Sequence, residues 1–192
     1  VYQPERLTLL EEVYHGAAAR YAVGSYAEFL TQVVRFEENA LRAMCLTWGT
    51  MFVDWTGTPD DDGALIARAW LRSLPFVLPK DRDDGRNKMA SRTVLRALLK
   101  LLADQRDEDI SEVLEALDQL DGLVRLRNDL THSLKGAQQD DLANTFGDDA
   151  DAILPHLAHI FALIVGRPPG PSPFVAVNAM IDTLIQERRE DT

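Results

Sequence analysis

The fold is decided in the stretch DISEVLEALDQLDGLVRLRNDLTHSLKG, Asp109–Gly136. Ile110, Val113, Leu114, Leu117, Leu120 and Val124 recur at steps of three and four residues, which winds them onto one face of an α-helix. Glu108, Glu112, Glu115 and Asp118 cover the other side. The spacing predicts one long helix beginning around Asp109 that delivers Arg127 and then frays into a turn over Ser133 to Gln139, with Gly136 inside it.

The same period recurs on both sides of this stretch. Leu7, Leu10, Val13, Tyr14, Ala17, Ala18 and Tyr21 predict a helix from Glu5 to about Ala22, ended by Gly24. Ser25 and Glu28 have the spacing of a capping box and open a second helix through Phe29, Val33, Phe36, Ala40, Met44 and Cys45 to Gly49. Trp55 to Gly63, with three consecutive aspartates, reads as a solvated loop. A third helix spans about Ala64 to Leu74 and is closed by Pro75 and Pro79. After a polar loop, Lys80 to Arg86, a helix runs from about Asn87 to Ala103.

Beyond the central stretch, short and longer helices are expected at Asp140 to Thr145 and Asp151 to Val165, the second tolerating Pro155 near its start. Arg167 to Pro173 is a stiff proline-rich connector, and a last helix covers about 174–188. No period-two alternation and no internal repeat is present. The expectation is an all-α bundle of roughly six or seven helices, one domain over 1–192 with 174–188 as an appendage.

Composition narrows the function classes. With 46% apolar and 27% charged residues the chain is an ordinary globular one. A formal charge of −11 excludes indiscriminate nucleic-acid binding, which depends on phosphate neutralisation by lysine and arginine, so any nucleic-acid site has to be local. No stretch has the roughly 20 uninterrupted apolar residues of a membrane span, and the first residues do not have the form of a secretory signal, so a cytoplasmic protein is expected. The single cysteine, Cys45, lies in an apolar helical pattern and supplies neither a disulfide framework nor a thiolate metal site. A start at Val1 is compatible both with initiator removal and with an upstream domain cut away.

The chemistry sits in Arg127, Asn128 and His132. An arginine fork matches a phosphate and remains charged, a histidine moves protons near neutral pH, and Asn128 can fix the imidazole or hold a phosphate oxygen. The set suits attack of a ribose 2′-hydroxyl on its own 3′-phosphate without metal or other cofactor. Residues five apart on an ideal helix point about 140° away from each other, so Arg127 and His132 do not share a face. Either the helix distorts near Ser133 or a second copy of the chain completes the site across a two-fold axis. The bland alternative is an ion-pairing surface arginine and a helix-end histidine favoured by the helix dipole.

Leu126-Arg127-Asn128, Thr131-His132-Ser133-Leu134-Lys135-Gly136 and Asp140-Asp141-Leu142 together resemble the HEPN superfamily, most closely the HEPN domain of CARF-HEPN ribonucleases from type III CRISPR systems. Tyr26 to Leu30 and Phe36 to Leu41 are similar in character to a helix upstream in those proteins. The resemblance covers about residues 10–165. It implies a dimeric, metal-independent endoribonuclease that cleaves single-stranded RNA to a 2′,3′-cyclic phosphate in antiviral defence, with Arg127, His132 and Asn128 catalytic. It also implies activation by a cyclic oligoadenylate through an upstream CARF sensor domain that this chain does not contain. Two alternatives stay open: a HEPN toxin paired with an antitoxin, and a non-catalytic helical interaction module.

Lys88, Arg92, Arg96 and Lys100 form a stripe at four-residue spacing in a segment without acids, and with Lys135 they are the residues expected to guide an RNA backbone. The competing reading pairs the stripe with Glu108, Glu112, Glu115 and Asp118, or leaves it solvated. His156 and His159 are three apart on a helix but have no third ligand nearby, so no metal site is expected. His15 beside Tyr14 reads as a packed helix residue, and Trp48, Trp55 and Trp70 as core or interface.

Overall fold

A computed structural model of the chain describes residues 4–49, 92–133, 136–147, 149–173 and positions 175, 177 and 180. The described residues form seven α-helices and one short 3-10 turn, with no strand among them. The helices expected at 64–74 and over most of 174–188, the loops 55–63 and 80–86, Trp48's side chain, Trp55 and Trp70 lie outside the described residues.

α1 (Pro4–Ala22) and α2 (Tyr26–Gly49) form an antiparallel hairpin. The chain reverses at Gly24, whose φ of 72° is open to glycine at little steric cost. The Ser25 amide then donates to the Arg20 carbonyl at 2.9 Å. Ser25 and Glu28 are joined at the start of α2, the Ser25 hydroxyl donating to the Glu28 carboxylate at 3.2 Å. That carboxylate also pairs with Arg20 at 2.9 Å, so it ties the end of α1 to the start of α2.

α2 is the central element, packed against α1, α3 (Arg92–Arg106), α5 (Asp121–Ser133) and α7 (Ile153–Val165). Phe29, Leu30, Val33, Phe36, Ala40, Leu41, Met44 and Cys45 are all buried on its inner side. Opposite them lie Leu95, Leu98, Leu99 and Leu102 of α3 and Leu157, Ile160, Phe161 and Ile164 of α7. Each such large apolar side chain contributes about 1.5–3 kcal/mol by leaving water, so this one layered core holds the bundle.

The long helix expected from Asp109 is two. α4 (Ser111–Asp118) ends in a turn at Gln119 and Leu120, where the Leu120 amide bonds the Leu117 carbonyl at 3.1 Å in place of an i−4 partner. α5 then starts at Asp121. Two contacts fix the break: Asp121 turns to arginines on α3, and Gly122 approaches Thr145 so closely that a Cβ would meet the Thr145 carbonyl oxygen at 3.1 Å. Leu117, Leu120 and Leu123 all remain fully buried through the bend, which is why their spacing reads as one helix.

α6 (Gln139–Phe146) is opened by a reciprocal capping box between Gln138 and Asp141 and closed by Gly147 at φ 83°. The segment expected as a helix from Asp151 starts as the 3-10 turn Ala150–Ala152, capped by the Asp149 side chain, and becomes α7 at Ile153. Pro155 falls in the first turn of α7, where its missing amide costs nothing. The connector is strapped down: Arg167 donates to both Glu11 oxygens, at 3.0 and 2.8 Å, and lies over the Phe161 ring 5.5 Å from its centroid. No helix among the described residues is long and apolar enough to cross a membrane.

Candidate active site

α5 carries the motif and remains a regular α-helix through Ser133. A local distortion that would bring Arg127 and His132 to one face is therefore absent, and their directions differ by about 140°. Arg127 is half-buried, while Asn128 and His132 are exposed. The Arg127 Nη1 donates to Asn128 Oδ1 at 3.0 Å. Asn128 lies one turn before His132 on the same face of the helix. Among the described residues the His132 ring makes no hydrogen bond or ion pair. Thr131 donates back to the Arg127 carbonyl at 2.8 Å and Ser133 to the Leu130 carbonyl at 3.3 Å, which leaves both hydroxyls committed.

The spacing also sets Arg125 on the face of Asn128 and His132, at seven residues before the histidine. Arg125 is exposed, and it is a second cation beside the motif that sequence reasoning passed over. The i, i+3, i+7 relation was the signal that could have found it.

Arg127 lines a groove of about 230 Å³ between α5 and the start of α2. Its other walls are Ala27, Glu28, Leu30 and Thr31 from α2 and Leu130 and Thr131 from α5. The floor is apolar, and Arg127 and Glu28 supply the charges.

The basic stripe is arranged differently from a surface track. Arg92 and Arg96 turn inward, with side chains 24% and 17% exposed, and both donate to Glu37 Oε1 at 2.6 Å. Both also pair with Asp121 Oδ1, at 2.6 and 3.1 Å, and Arg96 adds Asp118 and the Leu117 carbonyl. Two of the five residues expected to meet RNA are thus committed to carboxylates of α2, α4 and α5. The physical reason is Glu37, which is fully buried and could not stay ionised there without cations. Lys100 is exposed, and Lys88 and Lys135 lie outside the described residues.

Burial pushes the Glu37 carboxyl above its ordinary range, with Arg92 and Arg96 pulling it back. Burial pulls Arg92 down, but Glu37 and Asp121 outweigh it and hold its guanidinium above the usual value. Among the described residues, Glu37 Oε2 and the Nε atoms of Arg92 and Arg96 are buried without a hydrogen-bond partner.

The other histidines have structural company. The His156 Nε2 donates to the Ala116 carbonyl at 2.8 Å and its ring meets Phe146 edge-on, tying α7 to α4. His159 lies 3.6 Å from Glu112. His15 is buried against the Tyr14 ring. The Cys45 thiol is buried, donates to the Leu95 carbonyl at 3.4 Å and is pushed up to about 12 by burial. No group of three metal-ligating side chains occurs among the described residues.

In comparisons with known proteins, no family model, curated protein or solved structure matches the chain.

Proposed function

We propose that the protein is a metal-independent endoribonuclease acting on single-stranded RNA as a homodimer, with Arg127, Asn128 and His132 of two copies forming one composite site. The observation that carries this reading is the Arg127–Asn128 hydrogen bond on a helix whose next turn exposes His132, without a partner among the described residues. A phosphate-binding fork and a proton-transfer group thus stand at one solvent-facing helix end. The unbroken α5 supports the dimer, because one chain alone leaves the arginine and histidine on different sides of the helix.

In this reading a 2′-hydroxyl attacks the adjacent phosphorus. The new 2′-oxygen–phosphorus bond forms, the bond to the 5′-oxygen breaks, and the products are a 2′,3′-cyclic phosphate and a 5′-hydroxyl. His132 of one copy takes the 2′-hydroxyl proton and His132 of the other gives a proton to the 5′-oxygen. Arg127 meets the charge that develops on the phosphoryl oxygens, and Asn128 holds its guanidinium in place. The resemblance to CARF-HEPN ribonucleases extends the proposal to antiviral defence and to control by a cyclic oligoadenylate bound on a sensor domain outside this chain.

The test is cleavage of a fluorogenic single-stranded RNA in the presence of EDTA. Wild type should cleave it and leave cyclic phosphate ends, and His132→Ala should not. Equal cleavage by the two proteins would refute the assignment. No cleavage by wild type at any concentration, together with a stable complex with another protein, favours a helical interaction module.

A further inference from the structure

The proposed reaction uses the Arg127 guanidinium but not the groove that Arg127 lines. We infer that this groove takes the base of a nucleotide flanking the scissile phosphate, and that Glu28 selects adenine, cytosine or guanine over uracil there. The inference rests on the ribonuclease reading above and names a specificity for the same site.

Position comes first. A phosphate held by Arg127 has its neighbouring base one ribose away, and the space adjoining Arg127 on the side of α2 is the groove. The volume of about 230 Å³ accommodates a single base. Leu30, Leu130 and Ala27 offer the apolar contact that a base face accepts without regard to sequence.

Polarity then decides which base. The Thr31 hydroxyl is committed to the Ala27 carbonyl at 3.1 Å and the Thr131 hydroxyl to the Arg127 carbonyl at 2.8 Å, so neither has a proton left for a ligand. Glu28 remains. Its Oε2 accepts from Ser25 at 3.2 Å and pairs with Arg20 at 2.9 Å, while no hydrogen bond to its Oε1 occurs among the described residues. A carboxylate oxygen accepts and never donates, so it matches the exocyclic amino group of adenine, cytosine or guanine. Uracil has one donor on that edge, its N3–H, recessed between two carbonyl oxygens that a carboxylate repels, whereas an exocyclic amino group projects beyond its ring.

The experiment uses oligodeoxynucleotides with one ribonucleotide, which fixes the cleavage point, and varies the base on each side of it. Wild type should cleave the substrate with uracil at the groove position about tenfold more slowly than the others, the size of one lost polar contact. Glu28→Gln, whose amide both donates and accepts, should bring uracil within about twofold of the rest. Ala27→Leu narrows the groove and should raise KM for every base without moving the dimer dissociation constant measured by sedimentation. An unchanged base ranking in Glu28→Gln overturns the inference while leaving the ribonuclease reading intact. So does an Ala27→Leu variant that dimerises differently at unchanged KM, because the groove then seats the second copy. Absence of cleavage by wild type overturns both.

Discussion

Glu37 and Arg96 meet at 2.6 Å inside the bundle, and through Arg96 the buried acid of α2 reaches Asp121, the first residue of the motif helix. Arg92 repeats the same pair of contacts, so two cations are shared by two carboxylates. The lattice joins α2, α3 and α5 by charge in addition to the apolar core they share. Removing one member leaves its partners short of a counter-charge in a largely buried site, which costs more than the lattice contributes intact. Glu37→Ala should lower stability by about 3 kcal/mol. The urea midpoint reads this, and a loss below about 1 kcal/mol would mean that Asp118 and Asp121 suffice to hold both arginines.

Much of this architecture is legible in the sequence, and the part that is not has a common cause. Phe29, Val33, Phe36, Ala40, Met44 and Cys45 announce the inner face of α2 by spacing, and all are buried. Glu37 sits beside Glu38 and reads as surface, because what buries it lies 55 and 59 residues further along the chain. Pairing of the basic stripe with the acids of the next helix was foreseeable as an alternative, and Asp118 takes that part for Arg96. The bend at Gln119 was not, since buried Leu117, Leu120 and Leu123 keep helical period across it. For the candidate site, the sequence names Arg127, Asn128 and His132. The groove beside them depends on how α5 packs on α2, which no spacing encodes, and the bond between the first two is set by the rotamers of adjacent side chains.

Arg127 should be intolerant of its closest substitute. Lysine keeps the charge but replaces a planar fork with a point donor, and it loses the bond to Asn128. Arg127→Lys should reduce the cleavage rate by at least about tenfold and Arg127→Ala by about 100-fold, the span expected for a group acting on transition-state charge. Thermal melting should move little in the lysine variant, because Arg127 is only half-buried and bonds a surface amide. A wild-type rate in Arg127→Lys removes the fork from the mechanism.

The composite site makes activity depend on concentration. If both copies contribute His132, specific activity must fall as dilution carries the protein through its dimer dissociation constant. Mixing an excess of His132→Ala with wild type should suppress activity as mixed dimers form, provided the two dimerise equally. Constant specific activity across a dilution that sedimentation shows to be monomerising would assign the whole site to one chain.

The strap between Glu11 and Arg167 should give the protein an acid-sensitive edge. The Arg167 hydrogen bonds, helped by the Gly170 amide and opposed by burial, hold the Glu11 carboxyl at about 2 against an ordinary 4.5. A depressed acid contributes its stability in full above the unfolded value and loses it as pH falls through the folded one, so the window is about pH 4.5 down to 2. Melting temperature should drop across this window in wild type and less steeply in Glu11→Gln. Parallel pH curves for the two proteins would show that the strap does not bear on folding.

Gly122 tests the bend that aims the motif helix. A Cβ added there would sit 3.1 Å from the Thr145 carbonyl oxygen and from the Thr145 methyl. The methyl can rotate away, but the carbonyl belongs to the backbone of α6 and moves only with that helix. Gly122→Ala gains helix propensity, worth about 1 kcal/mol on an unhindered helix, so a neutral or destabilising result already reveals the clash. Gly122→Val adds a branched side chain at the same point and should cost about 1–3 kcal/mol, as overpacking does. Because α5 would have to lift from α6 to admit it, the same variant should lower RNA cleavage by more than its loss of folded protein accounts for. If stability falls and the activity of the folded fraction stays at the wild-type level, the α5–α6 contact supports the fold without aligning Arg127 and His132.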